Sequence, residues 1–162
     1  ESTGWPGGDY KNYLRFILPE NTKLSEILIN DKHQDVVDAI TDPKYYEAKD
    51  FKSPKGLEVE KVAENRKTIF GFIVNIPITE IVKVKLRYVY PGSISGLSTF
   101  SYNLKLFKQP GIDIIPYSFS LVYPNSFDIV KSSDSINREE GKISYSEKIV
   151  RDKNLIINFA KK

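Results

Sequence analysis

Alternation of apolar and polar residues with a period of two recurs along this sequence and constrains the fold more than any other feature. In residues 12–18 it separates two faces, one with Leu14, Phe16 and Leu18 and the other with Tyr13, Arg15 and Ile17. Similar runs occupy residues 23–29, 56–62, 68–76, 79–90, 100–106, 117–123, 126–131, 142–150 and 154–159. A period of two is that of a half-buried strand. The pattern therefore predicts an all-β fold with little helix, an antiparallel β-sandwich of about nine strands, immunoglobulin-like in broad architecture.

The breaks between these runs predict how the strands are connected. Residues 68–76 and 79–90 are separated by Pro77, and we expect them to form an antiparallel hairpin. Residues 142–150 and 154–159 are expected to form a second hairpin at the end of the chain. In the segment KQPG, Pro110 and Gly111 are the residues that a type II turn prefers at its two central positions.

Residues 30–55 interrupt the strand pattern. The segment DKHQDVVDAITDPKYY within them has the only helix-like spacing, and it stops before Pro43. We expect this stretch to be one long excursion between strands, with no more than a helical turn. The sequence shows no internal repeat and no linker rich in Gly, Ser or Pro. We predict one domain over residues 1–162, while two small packed β-domains remain an alternative.

Composition excludes several classes of function. Lys and Arg total 24 and Asp and Glu total 21, so the net charge of +3 is too small to indicate nucleic-acid binding. The chain has no cysteine, which excludes disulfides, thiol nucleophiles and zinc knuckles. No window reaches about 18 apolar residues, the length of a membrane-spanning helix. Because the sequence contains no methionine, we expect it to be a fragment of a longer polypeptide.

The titratable residues give weak signals for catalysis. His33 is the only histidine, and it lies in the polar excursion, so that a catalytic triad or a histidine metal site would depend on it alone. Glu58 with Glu60, and Glu139 with Glu140, are the carboxylate pairs that glycoside hydrolysis would need. Alternating strand charges and acidic turns are normally solvated. We therefore predict no enzyme activity and no catalytic, cofactor-binding or metal-binding residues.

The aromatic residues are the remaining candidates for a binding site. Five tyrosines follow the apolar faces and are expected in the core or at its rim: Tyr88, Tyr90, Tyr102, Tyr117 and Tyr123. Trp5, Tyr45 and Tyr46 lie outside these runs. We predict that these three are the residues available to contact a ligand or a partner, because exposed aromatic rings stack on sugars and anchor protein interfaces.

Three segments carry a family resemblance. In order, GWPGGDYKNYLRFILPENTKL, KTIFGFIVNIPITEIVKVKLRYVYP and YNLKLFKQPGIDIIPYSFSLVYP resemble the C-terminal region of the bacterial domain of unknown function 4012 family. The resemblance implies a large protein with an N-terminal membrane anchor and with this piece outside the cell. It brings no assigned activity and no catalytic residues. It also places Trp5 at the entry to the first strand, where we expect the indole to pack against the edge of the sandwich.

These observations together predict a non-catalytic, extracytoplasmic module at the bacterial cell surface. It would belong to a cell-envelope protein, and its role would be structural or would be the binding of a partner protein. The alternative is a carbohydrate-binding module that uses Trp5, Tyr45 or Tyr46 to bind cell-wall glycan. A glycoside hydrolase with paired carboxylates is a third hypothesis.

Overall fold

The computed structural model describes residues 8–42, 44–47, 51–52, 54–90, 92–94 and 96–162. Within these residues the chain is nearly all β, with thirteen strands and one helix, α1 (Lys44–Glu47). Twelve of the strands have an antiparallel neighbour, so the predicted all-β antiparallel fold is confirmed. The strand number exceeds the prediction because three strands have only two or three residues, too few for alternation to be visible.

The chain divides into two compact units, Glu1–Gly92 and Ser93–Lys162. The described strands of unit 1 are β1 (Tyr10–Pro19), β2 (Lys23–Ile29), β3 (Lys32–His33), β4 (Val36–Asp38), β5 (Leu57–Glu64), β6 (Lys67–Ile76) and β7 (Val84–Val89). They form one sheet in the order β1-β6-β5-β4 and another in the order β3-β2-β7. Strands β4 and β5 run parallel, and the other pairs of this unit are antiparallel.

The core of unit 1 lies between these two sheets. Its buried apolar residues are Leu18, Ile27, Val59, Phe70, Phe72 and Val74. Alternate residues of β6 point into this core, as the sequence predicted, and the ring of Phe72 stacks on Phe16 with centroids 5.8 Å apart. Unit 1 is therefore a small β-sandwich with a core of its own.

Two tight turns connect strands within unit 1. Asn30 and Asp31 join β2 to β3, and Asn65 and Arg66 join β5 to β6. All four residues have positive φ, between 49° and 61°. Two-residue loops with positive φ at both positions are the type I′ turns whose twist matches antiparallel strands, and Asn tolerates that conformation well.

Unit 2 is a second small sandwich. Its described strands are β8 (Thr99–Leu106), β9 (Ile115–Val122), β10 (Phe127–Ser132), β11 (Asn137–Glu139), β12 (Lys142–Ile149) and β13 (Lys153–Lys161). They form sheets in the orders β10-β13-β8 and β11-β12-β9. Gly111, in the connection before β9, has a φ of 82°, the value that the predicted type II turn requires at its third residue.

The core of unit 2 is rich in aromatic rings. Its buried residues are Phe127, Ile143, Tyr145, Leu155, Ile157 and Phe159. Phe159 stacks on Phe100 with centroids 4.5 Å apart and contacts Tyr123 at 4.9 Å. The two cores share no residue. The sequence predicted one domain, and whether the two units form one depends on how they are joined. The single domain therefore stays a prediction.

Both predicted hairpins are wrong. Strand β6 pairs with β1 and β5, whereas β7 pairs with β2 in the other sheet. Strand β12 pairs with β9 and β11, whereas β13 pairs with β8 and β10. In both cases the chain crosses from one sheet of a sandwich to the other at the point where the sequence suggests a hairpin turn.

Residues 30–55 are not one long excursion, because they contain the short strands β3 and β4. Part of the segment with helix-like spacing before Pro43 is β4, and α1 begins after that proline.

Two further details differ from the sequence-based expectation. The run predicted at residues 79–90 is a strand only from Val84 to Val89, and Thr79 has a φ of 64°, which ends extended structure there. Tyr90, expected at the core, is exposed because it lies beyond the end of β7. The other four tyrosines of that set pack against the cores as predicted: Tyr88, Tyr102, Tyr117 and Tyr123.

Candidate functional site

An exposed apolar surface covers the outer face of β1 and β6. Tyr13 is 43% exposed, Ile17 is 55% exposed and Ile73 is 57% exposed. Tyr13 lies directly opposite Ile73 in the ladder, and Ile17 lies opposite the buried Ile69. We call these four residues the β1 patch. The core-facing residues of the same strands alternate with them, so the patch points away from the core of unit 1.

Tyr13 is held in place within this patch. Its ring lies against Gly71, where any Cβ atom would overlap the phenol group. Its hydroxyl donates a hydrogen bond to the carboxylate of Glu60 on β5, the strand beyond β6 in the sheet order β1-β6-β5-β4. That bond, with some burial, raises the pKa of Tyr13 above its ordinary value. Tyr13 is therefore protonated and fixed in position, while part of its side chain stays exposed to solvent.

The strongest polar cluster of the described chain lies in unit 2. The ammonium of Lys153, at the start of β13, is 2.5 Å from Asp134 Oδ1 and 3.2 Å from Glu147 Oε2. The hydroxyl of the buried Tyr145 donates to the same Glu147 carboxylate. Asp134 lies between β10 and β11, while Glu147 belongs to β12. The cluster thus joins the two sheets of unit 2 at one end of the sandwich.

The pKa shifts in this cluster keep each group in its ordinary charge state. The bond from Lys153 lowers the pKa of Asp134, and the bonds from Tyr145 and Lys153 lower the pKa of Glu147. The Asp134 and Glu147 carboxylates raise the pKa of Lys153. Burial and the Glu147 bond raise the pKa of Tyr145. A general acid or base needs a pKa near the working pH, and these shifts move all four groups away from it.

Each sandwich has a cavity at its side. In unit 1, a groove of about 590 Å³ lies between β2 and the β4–β5 pair, with Ile27, Val59 and Phe70 among its lining residues. In unit 2, a cavity of about 380 Å³ is lined by residues of β10 and β11. Acidic and basic side chains are mixed in both.

The titratable residues that the sequence offered as candidates take part in separate structural contacts. His33 is exposed at the end of β3 and lines the groove of unit 1. Glu58 accepts a hydrogen bond from the backbone N–H of Ile40, and Glu60 accepts one from Tyr13. Across the described residues, no three or more His, Asp or Glu side chains come together in a group that could hold a metal ion.

Glu139 and Glu140, the second carboxylate pair, line the cavity of unit 2. The Glu139 carboxylate is 3.3 Å from the ammonium of Lys142. This contact is an exposed ion pair between neighbouring strands, a common feature of solvated sheet faces.

Of the three aromatic candidates, the structure places one. Tyr45 lies in α1 and is 62% exposed, as the sequence predicted. Trp5 lies outside the described residues, and so does its predicted packing on the sandwich edge. The side chain of Tyr46 is also outside the described part of the structure. A contact of any of the three with a ligand or a partner stays a prediction.

No relative was found. No protein-family model matches the chain, and no curated protein and no solved structure is significantly similar to it. The resemblance to the domain of unknown function 4012 family remains an expectation from the sequence. The one helix among the described residues spans four residues, far fewer than are needed to cross a membrane.

The sequence did not indicate the cluster around Lys153. Its members are spread over residues 134–153, and only the crossing between sheets brings them together. The β1 patch did have a sequence signal, because the second face of residues 12–18 contains Tyr13 and Ile17. The signal is thus the presence of apolar residues on both faces of one strand.

Proposed function

We propose that this chain is a non-catalytic, extracytoplasmic β-sandwich module that binds another protein of the bacterial cell envelope. The observation that carries the proposal is the β1 patch, in which three large apolar side chains stay exposed on one sheet face. Single exposed apolar residues are ordinary, but a contiguous group indicates an interaction surface. A tyrosine fixed against Gly71 suits such a surface, because little conformational entropy is lost when it is buried.

The charge state of the polar groups supports a non-catalytic role. The cluster of Asp134, Glu147 and Lys153 links strands of both sheets, and its pKa shifts favour the charged forms. This is the behaviour of a stabilising ion-pair network, in which opposite charges favour each other's ionised form. The modest net charge of +3 favours a protein partner over nucleic acid.

The proposed location rests on the sequence. The segments that resemble the domain of unknown function 4012 family imply a parent protein with an upstream membrane anchor, and this module outside the cytoplasm. A chain without cysteine is compatible with an oxidising compartment, because it has no thiol to mispair.

Site-specific photo-crosslinking in the producing bacterium tests the proposal. A benzoylphenylalanine at position 17 lies in the β1 patch, and the same residue at Ser120 lies on the exposed outer face of β9 as the matched control. We expect a discrete protein adduct from position 17 and none from position 120. Equal adducts at the two positions, or none at either, would contradict a protein contact at this surface.

Carbohydrate binding is the second candidate function, and the exposure of Tyr45 favours it. A ring that is open to solvent can stack on the apolar face of a sugar. Titration with soluble peptidoglycan fragments tests it through the tyrosine signals in NMR spectra. A shift that is lost in Tyr45→Ala and kept in Tyr90→Ala, another exposed tyrosine, would support this alternative.

A further inference from the structure

Strand β1 offers a long free edge for pairing. It spans ten residues, its register with β6 is unbroken, and no described strand pairs with its other side. About half of the backbone N–H and C=O groups of such a strand point to the free side. Proteins usually protect sheet edges with short strands, bulges, proline or charged side chains. Before Pro19, its last residue, β1 has only the last of these, the cations Lys11 and Arg15.

The side chains along β1 favour one kind of incoming strand. On the outer face, the cations Lys11 and Arg15 alternate with the apolar Tyr13 and Ile17. Directly opposed unlike charges stabilise neighbouring strands, and like charges destabilise them. A second copy of β1 would bring two more cations to the same edge. A strand that alternates acidic and apolar residues would instead match every outer position.

We propose that β1 binds an extended segment of the partner protein by β-strand addition, and that this segment alternates acidic with apolar residues on the face shared with Lys11, Tyr13, Arg15 and Ile17. The inference rests on the proposed protein-binding function and specifies its binding mode. Backbone hydrogen bonds supply the pairing, and the cations of β1 select the acidic sequence. The β1 patch continues the contact from the edge onto the sheet face.

Two synthetic peptides test this inference with the full 162-residue chain. The first is a nine-residue peptide in which threonine alternates with glutamate and valine, and the second has lysine in place of each glutamate. Hydrogen exchange measured by mass spectrometry locates the binding, and fluorescence anisotropy gives the affinity. We expect the acidic peptide to slow exchange in Tyr10–Pro19 and to bind about tenfold more tightly than the basic one.

Two variants separate charge selection at β1 from general attraction. Arg15→Glu should weaken binding of the acidic peptide and strengthen binding of the basic one. Lys105→Glu, which changes an exposed cation on the edge strand β8, should alter neither. Protection outside β1, equal affinity for both peptides, or no protection at millimolar peptide would overturn strand addition. If photo-crosslinking at position 17 still captures a protein, the proposed function stands without strand addition, and if both experiments fail, both proposals fail.

Discussion

Replacement of Phe159 by alanine should weaken unit 2 severely. Phe159 is 1% exposed, and its ring stacks on Phe100 and contacts Tyr123. It lies in β13, the central strand of its sheet, so a smaller side chain leaves a cavity that neighbouring strands on both sides limit. The substitution removes apolar contacts and two ring pairs without changing any charge.

The expected loss can be worked from these contacts. Replacing a buried phenylalanine with alanine costs about 3–5 kcal/mol, which includes the transfer of the ring and the cavity left behind. Aromatic pairs contribute about 0.5–1.5 kcal/mol beyond their buried area, and Phe159 takes part in two of them. We therefore expect about 4 kcal/mol for Phe159→Ala, a large part of the about 5–15 kcal/mol that stabilises a typical domain.

Native-state hydrogen exchange measures this loss separately in each unit. A loss of about 4 kcal/mol corresponds to nearly a thousandfold faster exchange in the slowest amides of β8 and β13. Val122→Ala is the matched control, because Val122 is 77% exposed and its truncation should change stability by less than about 0.5 kcal/mol. A change below about 2 kcal/mol for Phe159→Ala would refute the assigned core. Equal acceleration in β6 would show that the two units unfold together as one domain.

Three further predictions concern single contacts. Lys153 lowers the pKa of Asp134, so the stabilisation is present above about pH 4 and is lost as the pH falls through the lowered value. Asp134→Asn should therefore lower Tm at pH 7, and its Tm should approach that of the wild type near pH 2. Gly71→Ala should displace the Tyr13 hydroxyl from its hydrogen bond, so that NMR titration of the tyrosines finds the pKa of Tyr13 closer to about 10. Asn30→Ala should cost about 1 kcal/mol more than Asn30→Gly in urea denaturation, because glycine adopts the φ of 50° without strain. An equal cost for the two substitutions would contradict the left-handed conformation of this turn.

The sequence predicts the strands of this protein better than their partners. Alternation placed Phe70, Phe72 and Val74 on one face, and all three are buried in the core of unit 1. It could not show that β6 and β7 belong to different sheets, because both a hairpin and a sandwich crossing follow a short break in the pattern. The pairs Asn30-Asp31 and Asn65-Arg66 are better local signals, since two consecutive residues in the left-handed region define a hairpin.

Some features of the candidate sites could likewise be predicted from the sequence, and others could not. Exposure of Tyr45 could be predicted because no apolar periodicity includes it. The contact between Lys153 and Asp134 could not be predicted. It depends on how the segment between β10 and β11 comes to lie beside the start of β13. The β1 patch lies between these cases. Its residues are visible in the alternation, but only the position of β1 at the edge of a sheet shows that its outer face and its free side adjoin.

The parallel pairing of β4 with β5 has a consequence for the evolution of the connection between them, residues 39–56. Two neighbouring strands that run in the same direction cannot be joined by a tight turn, because the chain must first travel back along their length, which takes about a dozen residues or more. Shortening this connection below that limit would detach β4 from the sheet. Insertions meet no such limit, so related sequences should gain length here more freely than they lose it, with about a dozen residues as the lower bound.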